Sequence, residues 1–197
     1  MDNFKFINFN NLNDNQLTKL AELLFETGYY EYISLNNKLN LLPVSFQKIQ
    51  TLEPFSSYTH VLIDSANEVV GFFIAGTHKQ IREVEQITPN WYRDGNDIQS
   101  LLEPLSHFYI NETADTDFIL YGIAISSVWR GKGIFKILYN EQVKIAKNYD
   151  CSNIIFTVWN SNQALSIYKH YGAKIIGELD LTDLWCHDKL IKCCFNL

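Results

Sequence analysis

The stretch WRGKGIFKIL, Trp129–Leu138, joins a hydrophobic run, FILYGIAIS, to an apolar helical pattern through Arg130, Gly131, Lys132 and Gly133. A strand ending near Ser126, a short glycine loop and an immediate helix bring several unpaired backbone N–H groups to one point. Such a point attracts anions. Glycines permit close approach and unusual torsion angles, and a helix terminus aims N–H groups at phosphate oxygens. The loop is too short for G-x-x-x-x-G-K-[ST] and lacks G-x-G-x-x-G. A plain tight turn before a helix uses similar residues, so the local pattern leaves both readings open.

Working outward, FILYGIAIS reads as a strand, GIFKILYNEQVKIAKNY as a helix, CSNIIFTVW as a strand and NQALSIYKHY as a second helix. This alternation predicts α/β packing around a mixed or partly parallel sheet. Ile134, Ile137, Leu138 and Ile145 share one side of the first helix; Ala164, Leu165, Tyr168 and Tyr171 share one side of the second. Asn160 and Gln163 have capping-box spacing. AKIIGEL and KLIKCCF read as two closing strands.

Towards the N-terminus, Phe4–Phe9 reads as a strand, followed by a helix capped by Asn13 or Asp14, striped by Leu17, Leu20, Ala21 and Leu24, and stopped at Gly28. A shorter helix is expected after Val44. Thr59 to His78 reads as a hairpin turning at Ser65-Ala66-Asn67. Residues 81–117 are the least regular part, although DIQSLLEPLSHFY predicts a short helix with Leu101, Leu102 and Leu105 inward. This segment carries eight acidic residues against Arg82 and Arg93, so its charge of -6 equals that of the whole chain. It reads as an acidic insertion in a single domain spanning residues 1–197.

With 47% hydrophobic and 19% charged residues, the chain should collapse around a core. Net acidity argues against nucleic acid as a partner. No apolar run reaches the length of a membrane span, so a cytoplasmic protein without membrane association is expected. The cysteines, Cys151, Cys186, Cys193 and Cys194, form no C-x-x-C pair, and no metal site is expected. Cys193 and Cys194 should face opposite ways on a strand.

IAISSVWRGKGIFKIL resembles the signature of the GCN5-related N-acetyltransferase (GNAT) superfamily, in which an R/Q-x-x-G-x-G/A segment cradles the pyrophosphate of acetyl-coenzyme A. Arg130 and Gly133 match its first and fourth positions; Phe135 stands where glycine or alanine is usual, so its ring must turn away from the phosphates. IIFTVWNSNQALSIYKHYGAKIIG is similar to the family's later strand and helix, with Asn162, Ala164, Tyr168 and Gly172 at the matching spacing. The resemblance implies a central twisted mixed sheet flanked by helices and splayed to admit the cofactor. It further implies backbone pairing of the pantetheine arm with Ile123, Ala124 and Ile125, pyrophosphate at Arg130, Gly131, Lys132, Gly133, Ile134 and Phe135, and cofactor-side roles for Asn160, Asn162, Ala164 and Tyr168.

Acetyl transfer to an amine needs an unprotonated nitrogen, a stabilised carbonyl oxygen and protonation of the departing thiolate, with no covalent enzyme intermediate. By resemblance Tyr168 is the acid that protonates the thiolate. A base is not singled out: Glu112 and Tyr121 are candidates for the base or the substrate side, beside Glu83, Glu85, Asp115, Asp117, His78, His107 and His187. Cys151 lacks a visible histidine partner for a nucleophilic role. The acidic insertion reads either as a solvated loop or as a pocket for a cationic amine acceptor; monomer and homodimer both stay open. The competing expectation is a nonenzymatic acyl-coenzyme A sensor or interaction module.

Overall fold

The computed structural model describes residues 4–39, 53–87, 99–182 and 187–197. In chain order these form β1 (Lys5–Asn8), α1 (Asp14–Leu39), β2 (Thr59–Ile63), β3 (Val69–Thr77), α2 (His78–Ile87), α3 (Gln99–Ser106), β4 (Asp117–Ile125), α4 (Ile134–Asn148), β5 (Asn153–Trp159), α5 (Ala164–His170), β6 (Lys174–Asp180) and β7 (Lys189–Asn196). The expected helix after Val44 falls mostly outside the described residues. No helix among the described residues is long and apolar enough to cross a membrane.

The strands build one seven-stranded mixed sheet in the order β1-β2-β3-β4-β5-β7-β6. All neighbours are antiparallel except β4 and β5, which run parallel and pair only from Asp117–Asn153 to Ile119–Ile155. Beyond that point the two strands part. Burial along β4 follows the parting: Asp117 to Leu120 are buried, Tyr121 to Ile125 only half-buried.

A β-bulge lies at the parting. Ile74 pairs with Gly122 and Ala75 with Leu120, so Tyr121 is the extra residue. Phe118 and Leu120 pack on the face covered by α4 and α5; past the bulge that face takes Ile123 and Ile125. Ile119, Tyr121 and Ala124 turn to the opposite face, under α1 and α2. Phe156, Leu165, Tyr168, Cys193 and Phe195 join the first core; Leu20, Leu23, Phe55, Val61 and Phe72 make the second. Cys193 and Cys194 fall on opposite faces as strand alternation requires.

Three expectations are corrected. Gly28 does not stop α1, which continues to Leu39; a stop requires the left-handed conformation, and Gly28 is not among the positive-φ glycines. The described part of 81–117 is largely helical, since α2, α3 and one π-helical turn at His107–Asn111 occupy it. The cap of α5 is Asn162, whose Oδ1 accepts the Ala164 N–H at 2.9 Å, and not an Asn160–Gln163 box.

The short parallel pairing is pinned by Asp117, which is buried. Its Oδ2 accepts the Ala114 N–H at 2.8 Å and its Oδ1 accepts from Asn153 Nδ2 at 2.9 Å. Replacing it by alanine orphans both donors. Asp117→Ala should lower unfolding free energy by about 2–3 kcal/mol in urea titration; a loss under about 0.5 kcal/mol would remove the pin from the account.

Candidate active site

The loop after β4 is built around two left-handed glycines, Gly131 with φ 76° and Gly133 with φ 79°. A Cβ added at either would meet nothing within 4 Å, so the outer side of the loop is open. Inside the loop, Trp129 N–H donates to Ser126, Arg130 N–H to Ser127 and Lys132 N–H to Trp129. The N–H groups of Gly131, Gly133, Ile134 and Phe135 have no such acceptor among the described residues, and Gly133 provides no side-chain cap for α4. Four backbone donors at a helix N-terminus fit a diphosphate.

Side chains around the loop serve the protein. Arg130 stays exposed but folds back onto the protein: its Nε–H donates to the Ile125 carbonyl at 2.9 Å and its guanidinium pairs with Glu26 on α1. Lys132 lies over the Trp129 ring, 4.9 Å from its centroid. The Phe135 ring packs between the helices, 4.7 Å from Tyr171, 5.4 Å from Tyr168 and 6.1 Å from Tyr139. Phenylalanine here therefore joins α4 to α5 and leaves its N–H at the loop.

Ile123, Ala124 and Ile125 lie on the part of β4 that has no β5 partner. Asn160, exposed at the end of β5, donates its backbone N–H to Lys189 at 2.9 Å. Asn162 is occupied as the α5 cap and Ala164 is half-buried behind it. Tyr168 stands beside Phe156, the first β5 residue past the parting, with ring centroids 4.7 Å apart. Burial, with the nearby Cys193 adding to it, pushes the Tyr168 hydroxyl up to about 12. A phenol in that environment keeps its proton at neutral pH and so has one to donate.

On the other face, Tyr121 stacks on Phe55 at 4.6 Å and lies 6.0 Å from Tyr109. Glu112 is exposed, its carboxylate 3.9 Å from His107 Nε2. Tyr168 and Tyr121 thus flank the gap from opposite sides, whereas Glu83, on α2, and Asp115 line a separate pocket with His78. The Asp115 carboxylate is 2.9 Å from His78 Nδ1. Sequence reasoning passed over Tyr109, Phe108 and Lys192. Lys192 carried a signal, a lysine in the middle of the apolar run KLIKCCF; Tyr109 carried none.

The acetyltransferase (GNAT) family profile matches residues 17–173. No curated protein sequence matches the chain. Solved structures share its fold at low identity. The C-terminal condensation domain of Ebony, in complex with beta-alanyl-dopamine, is 10% identical over 100% of both chains with TM-score 0.69. A Bacillus subtilis acetyltransferase in complex with CoA is 13% identical over 100% of this chain and 99% of that one, with TM-score 0.55. The ribosomal-protein-S18-alanine N-acetyltransferase from Escherichia coli is 11% identical over 100% and 94%, with TM-score 0.56. The chain belongs to the GNAT acetyltransferase family, is an N-acetyltransferase, and its cosubstrate is acetyl-CoA.

The buried phenol has a pH signature. Its folded pKa of about 12 lies above the reference 10.0, so the folded state holds the proton more tightly. The stabilisation is complete below pH 10 and is lost as pH rises towards 12. Tyr168→Phe should therefore lose less stability than wild type between pH 10 and 12, read by denaturant titration at each pH. Parallel losses would mean that Tyr168 ionises as an exposed tyrosine does.

Proposed function

We propose that this member of the GNAT family binds acetyl-CoA in the gap between β4 and β5 and passes the acetyl group directly to an amine. The observation that carries this reading is the gap, a stretch of β4 at Leu120–Ile125 with no β5 partner, leading to four free N–H groups at the head of α4. Bound acetyl-CoA supplies a thioester whose carbonyl is already activated. The chain reads as one domain, and the described part of its β3–β4 insertion lies on the acceptor side.

The amides of Ile123 to Ile125 hold the pantetheine arm as an added strand, and the N–H groups of Gly131, Gly133, Ile134 and Phe135 hold the pyrophosphate. Arg130 acts through position: by gripping Ile125 and Glu26 it fixes the loop between β4 and α1. Lys132 adds a nearby positive charge. Tyr168 donates its proton to the departing sulfur, the role suited to a phenol that stays protonated. Asn160, Asn162 and Ala164 shape the β5 side of the channel.

Direct transfer is supported by the state of the thiols. Burial raises the pKa of Cys151 and Cys194 and pushes Cys193 up to about 11, which keeps them poor nucleophiles at neutral pH. Cys186 lies outside the described residues. On the acceptor side, Tyr121 floors the approach and Glu112 offers a carboxylate that takes the amine proton through water. Glu83, Glu103, Glu112 and Asp115 are all exposed on the insertion, which favours a cationic amine.

The test of the function is product formation from acetyl-CoA with peptide N-termini, lysine side chains and polyamines, read by mass spectrometry. A cofactor-dependent acetylated amine is expected; folded protein that acetylates none of them contradicts the reading. For the acid, Tyr168→Phe keeps the ring and removes the donor. Single-turnover transfer at saturating cofactor and acceptor should fall about 10- to 1,000-fold, and a folded variant transferring at the wild-type rate would take Tyr168 out of the mechanism.

A further inference from the structure

The π-helical turn His107–Asn111 is held across the sheet face opposite α4 by three successive residues, each tied to a different element. Lys192 on β7 donates from Nζ to the Phe108 carbonyl at 2.8 Å. Tyr109 donates its hydroxyl to the Leu120 carbonyl on β4 at 2.5 Å. His78, at the start of α2, donates from Nε2 to the Ile110 carbonyl at 3.0 Å. A π turn interrupts the regular α-helical ladder, and here these three ties hold it. The ties are also buried: Lys192 is 4% exposed, His78 4% and Tyr109 8%.

The location gives the turn a role. Leu120 is the first β4 residue beyond its last pair with β5. The Tyr109 hydroxyl therefore sits at the point where the gap opens, on the face of Tyr121, while Tyr168 occupies the other face beside Phe156. Phe108 carries the turn further across: its ring lies under the Lys192 ammonium, 5.4 Å from the centroid, and its edge is 3.3 Å from a Cβ built on Gly177 of β6. The turn spans from β4 past β5 to β7 and β6, and forms a wall on the side away from α4.

A charged lysine is costly at that depth. Burial lowers the Lys192 pKa, an effect the Glu112 and Asp117 carboxylates oppose. A methionine would fill the same space and leave only the Phe108 carbonyl unpaired, so the charge is not needed to fill the core.

We infer that Lys192 is a positioning residue for the acceptor amine: by holding the Phe108 carbonyl it fixes the π turn and seats Tyr109 on the Leu120 carbonyl, shaping the acceptor side of the gap without touching the cofactor. The inference rests on the direct-transfer reading above. It assigns Lys192 and Tyr109 to acceptor recognition and leaves cofactor binding to the loop at α4.

The test uses the full chain with Lys192→Met, Lys192→Arg and Tyr109→Phe. Acetyl-CoA is held saturating while spermidine, a tetrapeptide with a free N-terminus, and Nα-acetyl-lysine amide are each varied. CoA binding is measured by calorimetry, and amide hydrogen exchange is followed at residues 107–111 and along α4. In Lys192→Met, kcat/KM for the acceptor should fall about tenfold or more, the loss expected for a hydrogen bond from a charged donor. CoA affinity should stay within about twofold, exchange should quicken at 107–111 but not in α4, and Lys192→Arg should recover part of the loss. Should Lys192→Met not fold, Tyr109→Phe must give the same split. An unchanged acceptor kcat/KM, or a parallel loss of CoA affinity, overturns the inference. Wild-type protein inactive on all three amines would overturn the transfer reading and with it the acceptor role of Lys192; exchange that quickens at 107–111 alone would then leave only its hold on the turn.

Discussion

After three residue pairs β4 and β5 part in the middle of a seven-stranded sheet, and the rest of the structure is organised around that opening. Backbone N–H and C=O groups inside a sheet are normally paired, and leaving them without partners is costly. Here the outer edges of both strands are fully engaged, β4 with β3 and β5 with β7, so neither strand can swing across to close the gap. The protein holds it open. Asp117 and Asn153 pin the strands below the opening, the bulge at Tyr121 changes the run of β4 at its apex, and Tyr109 takes the Leu120 carbonyl just inside it. What remains unpaired has the form that an extended amide-bearing ligand ending in a diphosphate could match.

The bulge also divides labour between the two faces. On one side, Phe135, Tyr139, Tyr168, Tyr171, Phe156 and Phe195 form a connected set of rings that locks α4 against α5 and the sheet. This set buries Tyr168, and that burial holds its hydroxyl towards the neutral form. On the other side, polar ties through Lys192 and His78 secure an irregular turn. The face next to the Gly131–Gly133 loop is thus made by ring packing, and the opposite face by directed hydrogen bonds.

The regular elements were legible because their periods are strong. The alternation of FILYGIAIS, CSNIIFTVW and KLIKCCF with the helical stripes of α4 and α5 marks the second half of the sheet. The loop was legible because Gly131 and Gly133 need left-handed torsion angles that other residues resist. Part of what escaped is local and part depends on tertiary partners. Gly28 keeps ordinary helical torsion and lets α1 run on; Arg130 finds Glu26, 104 positions away in sequence; Asn162 caps α5 from its own side chain. The π turn escaped entirely, since its three ties come from β4, β7 and α2, and no local pattern around Tyr109 announces them.

The claim on which the account turns is that the gap between β4 and β5 is the seat of the cofactor arm. A crystal structure of the chain with CoA tests it most directly. The account predicts pantetheine amides hydrogen-bonded to the backbone of Ile123–Ile125 between the parted strands, and pyrophosphate oxygens about 3 Å from the N–H groups of Gly131, Gly133, Ile134 and Phe135. CoA bound elsewhere, or strands closed upon each other with the loop donors facing solvent, would contradict it.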